Sequence, residues 1–587
     1  MIVSDPIRSK NIDSASHFHQ SSSVDNDAIS LVSGTDSPPL LEDTIGGALA
    51  RAAITWPDQE AVVCCESKVR LTYAQLDARA IEFAAGLLAL NLQPGDRIGI
   101  WAPNCVEWTI TQYAAAKAGL ILVNINPAYR KHELEFVLNA VACKALVTAA
   151  TFKSSDYLAM LCELAPELLR DEPGMLAAQS LPQLKLVACI DAAKVAGILP
   201  FAEIPSRGRQ SHRNSLRQIA ASLRPEDAVN IQFTSGTTGS PKGATLTHRN
   251  ILNNAFFVGE AIRTGFGDRV CVPVPLYHCF GMCMGNLNCL THGAAAVYPG
   301  RGFEALATLH CVEAERCTAL YGVPTMFIAI LDHPRFGEFD KSSLRGGIMA
   351  GSPCPIAVMH RVVDQMHMPE VTIAYGMTET SPVSFQSSVD DTLERRVSTV
   401  GRIQPHLQVK VIDPSGAIVA RGTSGELCTR GYSVMQGYWG DPARTSDVLD
   451  EAGWMHTGDL AVIDPQGYCN IVGRIKDMII RGGENVYPRE VEEFLFKHPK
   501  VQGVACFGVP DPRFGEELCA WIQLRAGVTA AAEEFRHYCQ GQIAHYKIPR
   551  YVEFVDEFPM TVTGKIQKFI MRDAMIERLG LSVEKTA

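Results

Sequence analysis

Residues 234–243 read Thr-Ser-Gly-Thr-Thr-Gly-Ser-Pro-Lys-Gly, and they follow an apolar run, Ala228-Val229-Asn230-Ile231-Gln232-Phe233, with the character of a buried strand. Five hydroxyl side chains, three glycines and one lysine occupy ten positions. Glycine lets backbone amides come close to an anion, and hydroxyls and amides donate to phosphate oxygens. Lys242 adds a compact cation suited to phosphate. A Walker A loop requires Gly-Lys-Ser/Thr, whereas Lys242 lies between Pro241 and Gly243. The stretch therefore reads as a phosphate cradle of another kind than that of the P-loop NTPases.

Outward from this loop, the 587 residues have 47% hydrophobic and 20% charged content, values of a globular chain with a substantial core. A net charge of −10 argues against a nucleic-acid binder. No apolar run reaches membrane-spanning length, so no integral membrane segment is expected, while peripheral membrane contact stays open. Eighteen cysteines are scattered without a repeated Cys-x-x-Cys or a histidine partner pattern. That usage points to reduced, buried thiols rather than to a disulfide framework or a metal site. Residues 1–39 are rich in Ser, Asp and Asn, and read as a flexible tail. The tail is too acidic for a transit peptide and lacks the apolar segment of a secretory signal, so the expected location is cytoplasmic.

From Leu40, helical and strand patterns alternate: Tyr73 to Leu88 has helical spacing, and Arg97 to Trp101 reads as a strand. After Val400 the pattern changes to short strands between Gly- and Pro-bearing turns. The expected fold is an α/β multidomain chain. It comprises a large N-terminal domain (40–475) of layered α/β subdomains plus a small β subdomain, and a small mobile α+β C-terminal domain (476–587). Gly300-Arg301-Gly302-Phe303-Glu304-Ala305 matches a dinucleotide fingerprint, but Pro299 breaks the preceding strand, and an ordinary strand-to-helix turn is the better reading.

Further constellations follow in order. Ala374-Tyr375-Gly376-Met377-Thr378-Glu379-Thr380 sets an aromatic, a hydroxyl and a carboxylate around a glycine turn. These suit stacking on a purine, bonding to a phosphate and holding Mg²⁺, a hard cation that prefers carboxylate oxygen. Asp459 ends Trp454-Met455-His456-Thr457-Gly458-Asp459, and a carboxylate there can accept from both hydroxyls of a ribose. Gly473-Arg474 leads through Lys476 to Arg481-Gly482-Gly483-Glu484-Asn485, and Thr563-Gly564-Lys565 places one cation on a turn.

Taken together, these motifs resemble the adenylate-forming superfamily over roughly residues 40–575, nearest to fatty-acyl-CoA synthetases of the acyl-CoA synthetase family member two type. The resemblance implies an enzyme using ATP, Mg²⁺ and coenzyme A. Thr234, Ser235, Gly236, Thr237, Thr238, Gly239 and Lys242 would hold the phosphates. Gly351 and Ser352 would flank the adenine beside Tyr375 and Gly376, and Thr378 would meet the α-phosphate. Glu379 would be the metal ligand, and Asp459 with Arg474 would hold the ribose. Lys476 would be the hinge, Gly483 would lie along the pantetheine tunnel, and Lys565 would be the catalytic lysine that offsets transition-state charge.

The carboxylic-acid partner is read from Pro275 to Met282, which carries no carboxylate to receive a substrate ammonium, so an amino acid is unlikely. The lining implied by resemblance (His278, Phe280, Gly322, Val323, Met326) is apolar with one imidazole, which favours a medium- or long-chain fatty acid. An aryl or short branched acid shares every motif, and a non-catalytic nucleotide-binding protein is the alternative of another class, expected to lack Glu379 or Lys565. Monomer and homodimer both remain open.

Overall fold

The computed structural model describes residues 28–191, 195–234, 241–352, 354–482, 484–561 and 564–581. Its N-terminal portion is built on two large sheets. In the first, parallel strands run Ile198–Pro200, Leu186–Cys189, Ala145–Thr148, Arg97–Trp101, Ile121–Asn124 and Ala228–Thr234 across the sheet, and antiparallel Lys242–Thr247 and Gly437–Tyr438 complete it. In the second, the parallel strands are ordered Glu370–Gly376, Gly346–Ala350, Ala319–Gly322, Arg269–Cys271, Ala295–Tyr298 and Glu60–Cys64, with antiparallel strands at both edges. Near-continuous apolar runs such as Ala145-Leu146-Val147, buried along their length, are what a parallel strand covered on both faces requires.

The helix Val106–Lys117 touches both sheets and, Glu107 apart, is buried from Val106 through Ala116, which accounts for the lack of a single apolar stripe. Its neighbour Tyr73–Ala89 starts at a capping box, in which Thr72 Oγ1 accepts from the Gln75 amide and Gln75 Oε1 accepts from the Thr72 amide. The expected strand Arg97–Trp101 and the helix from Tyr73 are both present. So is the turn after Tyr298: Ala305–Glu315 is a helix whose N-cap is Glu304, a carboxylate where a dinucleotide pyrophosphate would sit.

The small β subdomain is a five-stranded sheet of Leu31–Ser33, Leu407–Ile412, Gly425–Gly431, Met455–Ile463 and Cys469–Arg474. Its first strand corrects the expectation of a loose tail through residue 39. Leu31, Val32 and Ser33 pair with Lys410, Val409 and Gln408, and Ser30 donates its amide to Val419. Alternation around Val32, which is buried, seats this short segment on an otherwise open edge. The C-terminal portion carries its own sheet, centred on the long hairpin Val501–Asp511 and Gly515–Leu524, and its own buried cluster around Val491, Leu495, Ile522 and Phe535. Pro488 opens the helix Pro488–Phe496 as expected. No helix among the described residues is long and apolar enough to cross a membrane.

Candidate active site

The phosphate-loop strand and the strand after it are antiparallel, and Thr234 stands directly opposite Lys242. Ser235, Gly236, Thr237, Thr238 and Gly239 lie outside the described residues, as does Gly483. Lys242 places its ammonium over the Tyr438 ring at 5.0 Å. Tyr438 sits on a two-residue strand paired to Ala244, and its hydroxyl donates to Glu379 Oε1 at 2.8 Å. Glu379 is buried, as is Thr378, and its backbone carbonyl accepts from the Met435 amide. One carboxylate oxygen is thus fixed, and the other is the group that Mg²⁺ would take beside phosphate oxygens and water, so the donor fits a hard cation. Tyr438 is a residue that sequence reasoning missed.

The turn that presents Glu379 depends on Gly376. A Cβ at that position would lie 1.6 Å from the Pro382 carbonyl oxygen, so a side chain is excluded unless the loop moves. Ala350 is in register with Ala374, which puts Gly351 and Ser352 at the strand end beside Tyr375. Gly351 has φ +90°, a conformation glycine adopts without strain. The arrangement leaves an edge of backbone next to an aromatic ring, suited to a flat base.

Asp459 joins these elements to the β subdomain. The Tyr375 hydroxyl donates to its Oδ2 at 2.6 Å, and Arg474 Nε donates to its Oδ1 at 2.8 Å. Asp459 and Arg474 face each other across two antiparallel strands, so the pair is set by register. Burial, then the Asp459 charge, pushes the Tyr375 phenol up, and it stays a donor. Arg474 also caps the single 3₁₀ turn Ile475–Asp477 that contains Lys476, and its carbonyl accepts from the Met478 amide.

Lys565 arrives from the C-terminal domain. The turn is closed by Gly564 N–H to the Thr561 carbonyl and by Thr561 N–H to the Lys565 carbonyl, with Gly564 at φ +77°. A Cβ on Gly564 would meet Thr325 Oγ1 at 2.9 Å and Val323 Cγ2 at 3.1 Å, so the turn rests against the helix start Pro324–Leu331. The Lys565 side chain is open to solvent in the cleft yet walled by protein on most sides. Desolvation, followed by the Arg474 guanidinium, holds its ammonium down at about 8 against the pull of Asp459, Asp477 and Glu379. Burial, then Lys565, likewise lowers His278 to about 4, so the imidazole is neutral at pH 7.

This fixes a sign for the pH dependence. A group lowered to about 8 is charged below that pH and loses its charge as the pH rises through it. Acid-dependent pyrophosphate release measured as kcat/KM is expected to fall on the alkaline side of about 8. The limb in kcat should lie higher, because bound phosphate and carboxylate favour the ammonium. A kcat/KM profile flat through this region would remove Lys565 from the first chemical step.

The residues expected to line the acid site converge as well. Phe280 stacks on Tyr321, 5.8 Å between ring centroids, and Gly322 follows Tyr321 at the strand end. Val323 caps the next helix and Met326 lies in its first turn, both buried in one apolar cluster with Phe280 and Met282. His278 stands at the Lys565 end of this wall and accepts from the Phe280 amide. The site is thus a charged cleft that adjoins an apolar wall through one neutral imidazole.

Comparison with known proteins gives the same picture. The family described as AMP-binding enzyme matches residues 49–439, and its C-terminal domain matches residues 490–565. The chain is 45% identical to a medium-chain acyl-CoA ligase ACSF2, mitochondrial, of Danio rerio, over 97% of this chain and 94% of the relative. It is 46% identical to a putative acyl-CoA synthetase YngI of Bacillus subtilis (strain 168), over 92% and 99%. Among solved structures, an anthranilate CoA ligase AuaEII in complex with anthranoyl-AMP has a TM-score of 0.82 at 25% identity, covering 93% of this chain and 100% of that one. A Mycobacterium tuberculosis fatty acyl CoA synthetase has a TM-score of 0.69 at 28% identity, covering 91% and 99%.

Proposed function

The chain belongs to the AMP-binding enzyme family, and from that premise we propose that it is an ATP-dependent acyl-CoA ligase acting on an apolar, medium-chain fatty acid. The observation that carries this reading is the position of Lys565, among Asp459, Asp477, Glu379, Arg474 and His278 at the end of an apolar wall. Medium chain length is supported by the names of relatives at 45% identity, and the apolar character of the acid by a wall of Phe280, Gly322, Val323 and Met326 without a carboxylate.

In the first step the acid's carboxylate oxygen attacks the α-phosphorus of ATP, and pyrophosphate leaves. Asp459 holds the ribose hydroxyls, and the Tyr375 ring lies along the base. Thr234 and Lys242 stand at the phosphate end, and Lys565 meets the negative charge that builds between carboxylate and phosphorus. Glu379, steadied by Tyr438, would hold Mg²⁺, which supplies charge neutralisation for the departing phosphates. With Nδ1 accepting from the Phe280 amide, neutral His278 carries its proton on Nε2 and can donate one hydrogen bond without placing a second positive charge beside Lys565. In the second step a thiol attacks the acyl carbonyl, the C–S bond forms and AMP leaves. That step needs Lys565 out of the way, which a turn about Lys476 provides.

The test is a panel of acids of graded chain length, read as pyrophosphate release and CoA thioester formed. A maximum at medium-chain acids is expected, whereas turnover confined to aryl or short branched acids would replace the fatty-acid reading. Asp459→Ala tests the ribose assignment. It is expected to raise KM for ATP by about tenfold to a hundredfold, the worth of a hydrogen bond to a charged group. It should also abolish discrimination against 2′-deoxy-ATP. A variant that still discriminates would place the ribose elsewhere.

Cytoplasmic placement is carried by the acidic composition of the first 39 residues. Several relatives bear the word mitochondrial in their names, so fractionation of cells expressing the chain with its N-terminus untagged decides between the two compartments.

A further inference from the structure

All 18 cysteines are free, and all but Cys65, Cys105 and Cys162 are buried. Their distribution is not even. Cys271, Cys311 and Cys317 bring their sulfurs within 4.8 Å of one another. Cys311 Sγ is 3.7 Å from Cys271 Sγ and 3.6 Å from Cys65 Sγ. The four residues come from four separate places. Cys65 follows the strand Glu60–Cys64, Cys271 ends the strand Arg269–Cys271, Cys311 projects from the helix Ala305–Glu315, and Cys317 lies in the link to the strand Ala319–Gly322. Among the described residues this is the only grouping of three or more metal-ligating side chains made of cysteine alone.

A zinc–sulfur bond is about 2.3 Å, so the sulfurs of a tetrahedral zinc–thiolate site stand about 3.8 Å apart. Both Cys311 separations match that edge, with Cys65 beside Cys311 and outside the three-sulfur group. The cluster also has an approach from solvent. Cys65 and Cys311 line a cavity of about 740 Å³ whose wall includes Gly300, Arg301 and Gly302, the loop that resembles a dinucleotide fingerprint. Arg70 and Arg269, each paired with Glu60 and Glu315, stand beside the sulfurs as the neighbouring cations. A buried set of thiolates needs a compensating charge, and a soft divalent ion supplies it directly.

We propose that Cys271, Cys311 and Cys317, with Cys65 on the cavity side, form a binding site for a thiophilic d¹⁰ cation of the Zn²⁺ class, separate from the catalytic cleft. Each thiol that coordinates releases one proton and forms one sulfur–metal bond, with no change of oxidation state. The ion ties the helix Ala305–Glu315 to the strand Arg269–Cys271 inside the second sheet and holds the link through Cys317. That link leads directly into the strand that ends at Gly322, so the role is an anchor behind the acid-binding wall.

The experiment uses the full chain, reduced, treated with chelator and titrated anaerobically with Co²⁺ alone. One equivalent is expected to give thiolate-to-cobalt charge-transfer absorption and the ligand-field bands of tetrahedral cobalt, and Zn²⁺ should bleach both. Zn²⁺ is also expected to raise the melting temperature. Loss of even an outer-shell partner of a metal site costs roughly 10- to 100-fold in affinity, so Cys317→Ser should weaken Co²⁺ binding by more than about 100-fold. It should remove the thermal shift as well, whereas Cys162→Ser, outside the cluster, should leave both unchanged. Should Cys317→Ser fail to fold, Cys65→Ser at the partly exposed position takes its place, with a weakened and altered charge-transfer band expected. Absence of charge transfer at one equivalent, or bands and thermal shift equal to the parent in the folded Cys317→Ser or Cys65→Ser variant, would overturn the site and leave four thiols packed as small apolar groups.

Discussion

Lys565→Ala is expected to lower acid-dependent pyrophosphate release by about 10²- to 10³-fold, the usual loss when one preorganised electrostatic partner is removed from a site of developing charge. Thioester formation from supplied acyl-adenylate and CoA should be nearly unchanged. The split follows from geometry. In this structure the lysine turn rests on Val323 and Thr325, with its ammonium near Glu379 and Asp459, the arrangement suited to joining acid and nucleotide. Once the mixed anhydride exists, the lysine has no charge of that kind left to offset. Pyrophosphate release by the variant at the parent rate would falsify the assignment of Lys565, and an equal loss in both half-reactions would make it a structural residue.

Lys476→Pro should give the opposite split. In the 3₁₀ turn Ile475–Asp477, position 476 lies in the first turn, where a proline ring is tolerated and the φ of a 3₁₀ residue, about −50 to −70°, suits the ring. The substitution therefore leaves this arrangement accessible while preventing position 476 from rotating to another backbone conformation. Thioester formation is expected to fall by at least about 10²-fold, since misplacement of reacting groups by an ångström already costs that much. Adenylation should fall far less. Single-turnover measurement of each half-reaction separates the two, and a variant slowed equally in both would move the pivot elsewhere in the chain.

Much of this site was legible because its parts are contiguous. The strand Ala228–Thr234, the Tyr375–Glu379 turn and the Asp459 segment each carry strand, glycine and polar group within ten residues, so periodicity and turn chemistry reach them together. Tyr438 was not legible. Its strand is two residues long, and its partner Glu379 lies 59 positions away, a contact that only the folded sheets create. The N-terminal strand failed for a related reason, since three residues among serines show no period, and the free edge that recruits them lies near residue 410. The cysteine cluster is the extreme case. Cys65 and Cys317 are separated by most of the N-terminal domain, and no local spacing announces that one helix brings them to a common centre.

The pairing of Asp459 with Arg474 has a consequence for the pivot. Under the proposed roles, the residue beside the ribose ligand Asp459 is also the N-cap of the turn that carries the pivot Lys476. One residue therefore serves both, Asp459 through its guanidinium and the turn through its backbone carbonyl. A pivot anchored in this way would tie the backbone at Ile475–Asp477 to whatever occupies the pocket around Asp459.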